Sequence, residues 1–177
     1  EPKRFSLAPY TKQKVHFTTN VPATATGGYY SVLFFELADS PTHIDGQVGL
    51  QIISRVGSLL FFETTDRKKQ VDVTATFFDG SILNGTLIHT GNVNLVIKCL
   101  YYVLDQNGVP VDRGDLEMFY MPPGTQTDFS IGLNAQLKSG RYTAVLTFDL
   151  EDGTSAVKEV DFQVHQGKFQ QIDTPGR

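Results

Sequence analysis

The chain has 177 residues, 40% apolar and 19% charged, which suits one or two globular domains and argues against a disordered chain. Its formal charge is −4 and no basic block occurs, so it lacks the footprint of a nucleic-acid binder. Cys99 is the only cysteine, which excludes an internal disulfide and a thiolate zinc cluster, and no apolar run approaches the roughly 20 residues of a membrane-spanning helix.

In chain order, Phe5 to Val21 predicts a turn and a strand, with Val15-His-Phe-Thr-Thr-Asn-Val21 as the strand. Pro22 to Gly28 reads as a loop and residues 29–37 as the next strand. Ala38 to Gly46 reads as a polar turn, followed by a long run from Gln47 to Glu63. Val48, Leu50, Ile52, Val56, Leu60 and Phe62 share one parity of that run. Gln51 and Arg55 fall on the other, but so do Ile53, Leu59 and Phe61. A strand that is apolar on both faces either is covered on both or keeps one face for a partner.

Thr64-Thr-Asp-Arg-Lys-Lys-Gln70 is polar and charged, and reads as a linker at a domain boundary. Beyond it, strands are predicted at 71–78, 82–89, 95–104, 111–121, 127–133, 141–150 and 156–164, punctuated by Gly, Asn and Pro turns. That is roughly the strand number of an immunoglobulin-like sandwich. The clearest element is the final hairpin. Tyr142, Ala144, Leu146, Phe148 and Leu150 alternate with Arg141, Thr143, Thr147 and Asp149, with Val145 the only apolar residue on that second face, and Glu151-Asp152-Gly153 supplies the turn. Leu137-x-x-Gly140-x-Tyr142 fits a tyrosine corner, in which the hydroxyl bonds back to the preceding loop. Gly167 to Arg177 reads as a frayed tail.

The hairpin has an echo 112 residues earlier: Gly28-Tyr-Tyr-Ser-Val-Leu-Phe-Phe-Glu36 lies over Gly140-Arg-Tyr-Thr-Ala-Val-Leu-Thr-Phe148, and Phe17 lies over Phe129. That offset is about the size of one sandwich domain. The expected organisation is therefore all-β, with tandem immunoglobulin-like β-sandwich domains. Residues 1–66 would be the C-terminal half of a first, incomplete domain, 67–165 a complete seven-stranded one, and 166–177 a tail. The strands missing from the first domain would lie upstream or come from another chain. The chain begins Glu1-Pro2 rather than with Met, as expected of a processed product or an excised piece, from which any export signal would already be gone.

Gln47-Val-Gly-Leu-Gln-Ile-Ile-Ser-Arg-Val-Gly-Ser-Leu-Leu-Phe-Phe-Glu63 resembles the last strand of the first domain in periplasmic pilus chaperones of the PapD type, with Leu50, Gln51, Ile52, Arg55, Leu60, Phe61 and Phe62 carrying the likeness. The resemblance covers about a third of the chain. It implies two immunoglobulin-like domains in an exported bacterial protein, periplasmic or at the cell surface. It also implies that this strand is lent edge-on to a protein partner, with Ile53, Arg55, Leu59 and Phe61 as the partner-binding residues. Ser58 and Leu59 stand where those chaperones carry a basic anchor. The second domain looks more like a generic bacterial surface module.

Catalytic patterns are absent. His16, His43, His89 and His165 are scattered, and no nucleophile elbow, zincin or phosphate-loop motif occurs. Asp149, Glu151 and Asp152 at one hairpin tip suit an ordinary charged turn better than a calcium site. Cys99 reads as a small buried hydrophobe. The expectation is thus a non-enzymatic protein without cofactor or metal. It would act through edge-strand pairing with a protein partner or a second copy. An alternative is a carbohydrate-binding or adhesive module using Val96, Leu100, Tyr102, Leu104, Phe119 and Tyr120, and a third is a structural spacer.

Overall fold

The computed structural model describes residues 1–37 and 53–172. Those residues form strands and no helix, so no helix long and apolar enough to cross a membrane is found among them. The strands are β1 (Gly28–Glu36), β2 (Arg55–Glu63), β3 (Val71–Asp79), β4 (Ile82–His89), β5 (Leu95–Asp105), β6 (Pro110–Asp115), β7 (Phe119–Met121), β8 (Gln126–Gly132), β9 (Gly140–Asp149), β10 (Ser155–His165) and β11 (Lys168–Gln171). All pair antiparallel. One sheet has the order β3-β4-β8 and a second the order β11-β10-β9-β5-β6, with β7 also on β5. β1 and β2 form a two-stranded sheet of their own.

The two larger sheets share one core because their strands alternate. From the first sheet come Val71, Leu83, Leu87, Phe129 and Ile131. From the second come the odd-numbered residues of β5 from Leu95 to Val103, and the even-numbered residues of β9 and β10 such as Leu146, Phe148, Val160 and Phe162. Phe129 meets Phe148 edge-on across the gap, with ring centroids 5.7 Å apart. Each such side chain contributes about 1.5–3 kcal/mol by leaving water. The open side is closed by a second aromatic group. Phe78 of β3 lies 5.0 Å from Phe162, and Phe169 of β11 lies 5.8 Å from Phe162.

Several predicted elements differ. The tail from Gly167 is not frayed through Gln171, because Phe169 stacks on the aromatic group and the Gln166-Gly167 turn folds β11 back on β10. The predicted strand 111–121 divides into β6 and β7, with the Leu116 N–H turned to the Cys99 carbonyl at 3.0 Å. Val15–Val21 alternates like a strand yet forms none, since no neighbouring strand offers it a ladder among the described residues. In the 47–63 run, β2 occupies 55–63, and Gln47 to Ile52 lie outside the described residues.

Candidate functional site

The β1–β2 hairpin is the unusual feature. Its register sets Tyr30 opposite Phe61, Val32 opposite Leu59, Phe34 opposite Gly57 and Glu36 opposite Arg55. Paired residues share a face, so Tyr30, Val32, Phe34, Leu59 and Phe61 form one apolar surface. Tyr29, Leu33, Phe35, Val56, Leu60 and Phe62 form another on the reverse. Much of this surface meets water: Tyr30 is 66% exposed, Leu59 64%, Phe61 54% and Val56 68%. The outer edges of β1 and β2 carry no further strand among the described residues.

The residues that sequence reasoning singled out separate into three situations. Leu59 and Phe61 lie together on the first face. Ile53 is half exposed just before β2. Arg55 is exposed but engaged on its own hairpin. Its guanidinium binds Glu36 at 2.8 Å and lies 5.1 Å from the Phe34 ring centre. Tyr30, Val32 and Phe34 complete the face, and sequence reasoning missed them as partners of Leu59 and Phe61. The signal available was the period-2 pattern of β1, but which β1 residue meets which β2 residue follows only from the register.

The corner residues Gly140 and Tyr142 stand at the start of β9, where the Tyr142 hydroxyl donates to the Lys138 carbonyl at 2.9 Å. The ring stacks on Phe162 with 5.6 Å between centroids. Cys99 is buried on β5, and burial pushes its thiol up to about 12, so it carries no thiolate.

At the β9–β10 tip, Lys69 Nζ lies 3.1 Å from Asp152 and 3.5 Å from Glu151, and Arg67 lies 3.1 Å from Asp152. The cations facing these carboxylates are thus the chain's own. The hydrogen bond from Lys69, with the charges of Lys69 and Arg67, holds the Asp152 carboxyl below its ordinary range. Burial alone would lower Lys69, but the bond to Asp152 and the charges of Glu63, Asp152 and Glu151 raise it overall. No group of three or more His, Cys, Asp or Glu among the described residues could hold a metal ion.

The candidate aromatic platform does not converge. Phe119 packs against the core. Tyr120 pairs with Val96 and so lies six positions along β5 from Tyr102, a span of about 20 Å.

No family model matches the chain, and no curated protein matches it. Among solved structures, it is similar to a β-glucuronidase from glycoside hydrolase family 2 at 15% identity, over 58% of this chain, with a TM-score of 0.35. The chain spans 12% of that protein's length.

Proposed function

We propose that this chain is a non-enzymatic, exported bacterial protein of tandem immunoglobulin-like domains that works by protein–protein contact, with the β1–β2 hairpin as its contact element. The hairpin lends the edge of the 48–62 run to a partner, in the manner of PapD-type pilus chaperones. One observation carries this reading: a two-stranded sheet shows water apolar side chains on both faces and leaves both outer edges unpaired among the described residues. Two strands alone are marginal in water, and open apolar edges invite a further strand. A partner strand would satisfy the backbone groups of β2 while its side chains cover Leu59 and Phe61.

The test is the composition of the complex the protein forms when expressed in a bacterial periplasm, read as molar mass by light scattering. Mass added by a stoichiometric partner, lost in the Ile53→Asp/Leu59→Asp variant, is the expected result. A mass equal to one chain for both proteins would overturn the reading.

A further inference from the structure

We propose that the β1–β2 hairpin is a rigid arm, clasped onto the sandwich in one orientation by residues 64–70 and 90–93, rather than tethered by a flexible linker. The inference concerns the arm itself and stands apart from what the hairpin contacts. A polar, charged connection of this length ordinarily leaves its two ends free to move. Here its polar groups are spent on a joint.

Asn92 is the centre of that joint. Its N–H donates to the Lys68 carbonyl at 3.0 Å, and its carbonyl accepts from the Gly28 N–H at 2.8 Å. Its side-chain oxygen accepts from the Lys68 N–H at 2.6 Å, and its side-chain nitrogen donates to the Asp66 carbonyl at 3.2 Å. All four polar groups of this residue thus join β1, the connection and the β4–β5 loop. From the other direction, the Gly27 N–H donates to the Asp66 carboxylate at 3.0 Å, the Thr64 N–H donates to the Gly27 carbonyl at 2.9 Å, and the Thr64 hydroxyl donates to the Asp66 carboxylate.

Backbones approach here more closely than side chains allow. A Cβ on Gly27, whose φ is 73°, would lie 2.6 Å from the Asn92 carbonyl oxygen. A Cβ on Gly91 would overlap the Lys68 carbonyl. The β4–β5 loop is in turn pinned to the core. Buried His89 binds the Val93 carbonyl through Nε2 at 2.7 Å and accepts the Gly91 N–H at Nδ1 at 3.1 Å.

The second side of the clasp is ionic. Lys69, whose side chain is 7% exposed, spans Asp152, Glu151 and, at 4.0 Å, Glu63 at the end of β2. Arg67 joins Glu63 to Asp152 at 3.1 Å each. Glu151 and Asp152 reach these cations from a tip where both adopt positive φ, 68° and 56°. The hairpin, the connection and the β9–β10 tip are therefore held together at points on two sides. An arm fixed in this way meets a partner without the entropic cost of ordering itself first.

Spin labels at Ser58→Cys on β2 and Gln163→Cys on β10, in a Cys99→Ala background, read the orientation directly. A single narrow distance distribution is expected. Asn92→Ala with Lys69→Met should widen it about two-fold or more while the near-ultraviolet spectrum of the sandwich stays unchanged. A broad distribution in the parent, or an unchanged width in the combined variant, would overturn the proposal. Should the combined variant not fold, Lys69→Met alone is measured beside the parent, and the parent's width decides: narrow supports the clasp, broad removes it.

Discussion

Tyr30 stands opposite Phe61 on the hairpin as Tyr142 stands opposite Phe162 in the sandwich. The correspondence extends along both pairs, from Gly28 opposite Glu63 and Gly140 opposite Val164 to Val32 opposite Leu59 and Ala144 opposite Val160. In the sandwich this row faces the core. On the hairpin it faces water, while the reverse face, polar at Arg141 and Thr147 of β9, is apolar at the matching Tyr29 and Phe35 of β1; Thr143 matches Ser31 and Val145 matches Leu33. The hairpin thus combines a core-type face with a second apolar face. The expected consequence is strong binding of a hydrophobic dye such as anilinonaphthalene sulfonate by the folded chain. Tyr30→Ser/Phe61→Ser should lower that signal measurably, leaving what the reverse face binds, and shift sandwich stability by no more than about 0.5 kcal/mol. Dye binding that the variant retains in full would place the exposed apolar surface elsewhere.

Phe162 is the residue on which the closed side of the sandwich depends. It is fully buried and touches Phe78, Tyr142 and Phe169, each from a different strand. Phe162→Ala should cost about 3–5 kcal/mol in urea unfolding. It should also release β11, seen as fast amide exchange at Phe169 and Gln170. Phe169→Ala removes one partner from the rim of the group and should cost less.

How much of this was legible in the sequence depends on which interaction fixes each part. From Val71 onward, strands alternate between core and water, and the alternation shows in the residues; β4 is read at both its ends, Ile82 and His89. The division of 111–121 was not legible, because Leu116, Glu117 and Met118 carry no turn residue and the break is a one-residue register shift on β5, from Leu100 opposite Asp115 to Ile97 opposite Phe119. Val15 to Val21 has the right period but no partner strand among the described residues, and period alone does not make a ladder. On the hairpin, the double-sided apolar pattern of 53–62 was visible in one dimension. The joint was not. Asn92 and Asp66 look like ordinary loop residues until the fold brings 27, 66, 68 and 92 together.

Cys99 offers a test of core chemistry. Its sulfur has only a weak contact, 3.8 Å from the Leu100 carbonyl, and its same-face neighbours on β5, Ile97 and Tyr101, belong to the buried core. Cys99→Ala should therefore cost about 1 kcal/mol for lost contacts. Cys99→Ser should cost more, about 1–3 kcal/mol, because a buried hydroxyl gains no adequate partner. In the folded parent the thiol, pushed up to about 12, should resist Ellman's reagent at about pH 8 and react at the rate of unfolding. Prompt reaction in native buffer would show that the core opens locally at β5.

Tyr142→Phe separates the two roles of the corner tyrosine. The ring stack on Phe162 is retained and only the 2.9 Å bond to the Lys138 carbonyl is lost. The expected loss is about 0.5–1.5 kcal/mol by chemical denaturation, with unchanged folded spectra. Tyr142→Ala, which removes the stack as well, should cost clearly more.

Acid should loosen the joint before it unfolds the sandwich. The hydroxyl of Thr64 and the N–H of Gly27 hold the Asp66 carboxyl below its ordinary range, and Lys69 does the same for Asp152. A carboxylate whose folded-state value is depressed adds stability that is fully present above its unfolded value. That stability is lost as pH falls through the folded one. The window therefore lies below about pH 4 and is open in neither direction at neutrality. The buried core of the sandwich is apolar, and its one comparable carboxylate, Asp105, held below its ordinary range by the Val109 and Asn107 N–H groups, acts only on the β5–β6 turn. Amide exchange at Gly27, Gly28 and Lys68 should accelerate between about pH 4 and pH 2.5, after correction for the intrinsic rate, while β5 and β9 stay protected. Asp66→Asn/Asp152→Asn should bring the faster exchange already at neutral pH and flatten the acid dependence. If parent and variant share one acid profile at the joint, these two carboxylates do not hold the arm, and the bonds of Asn92 alone must do so.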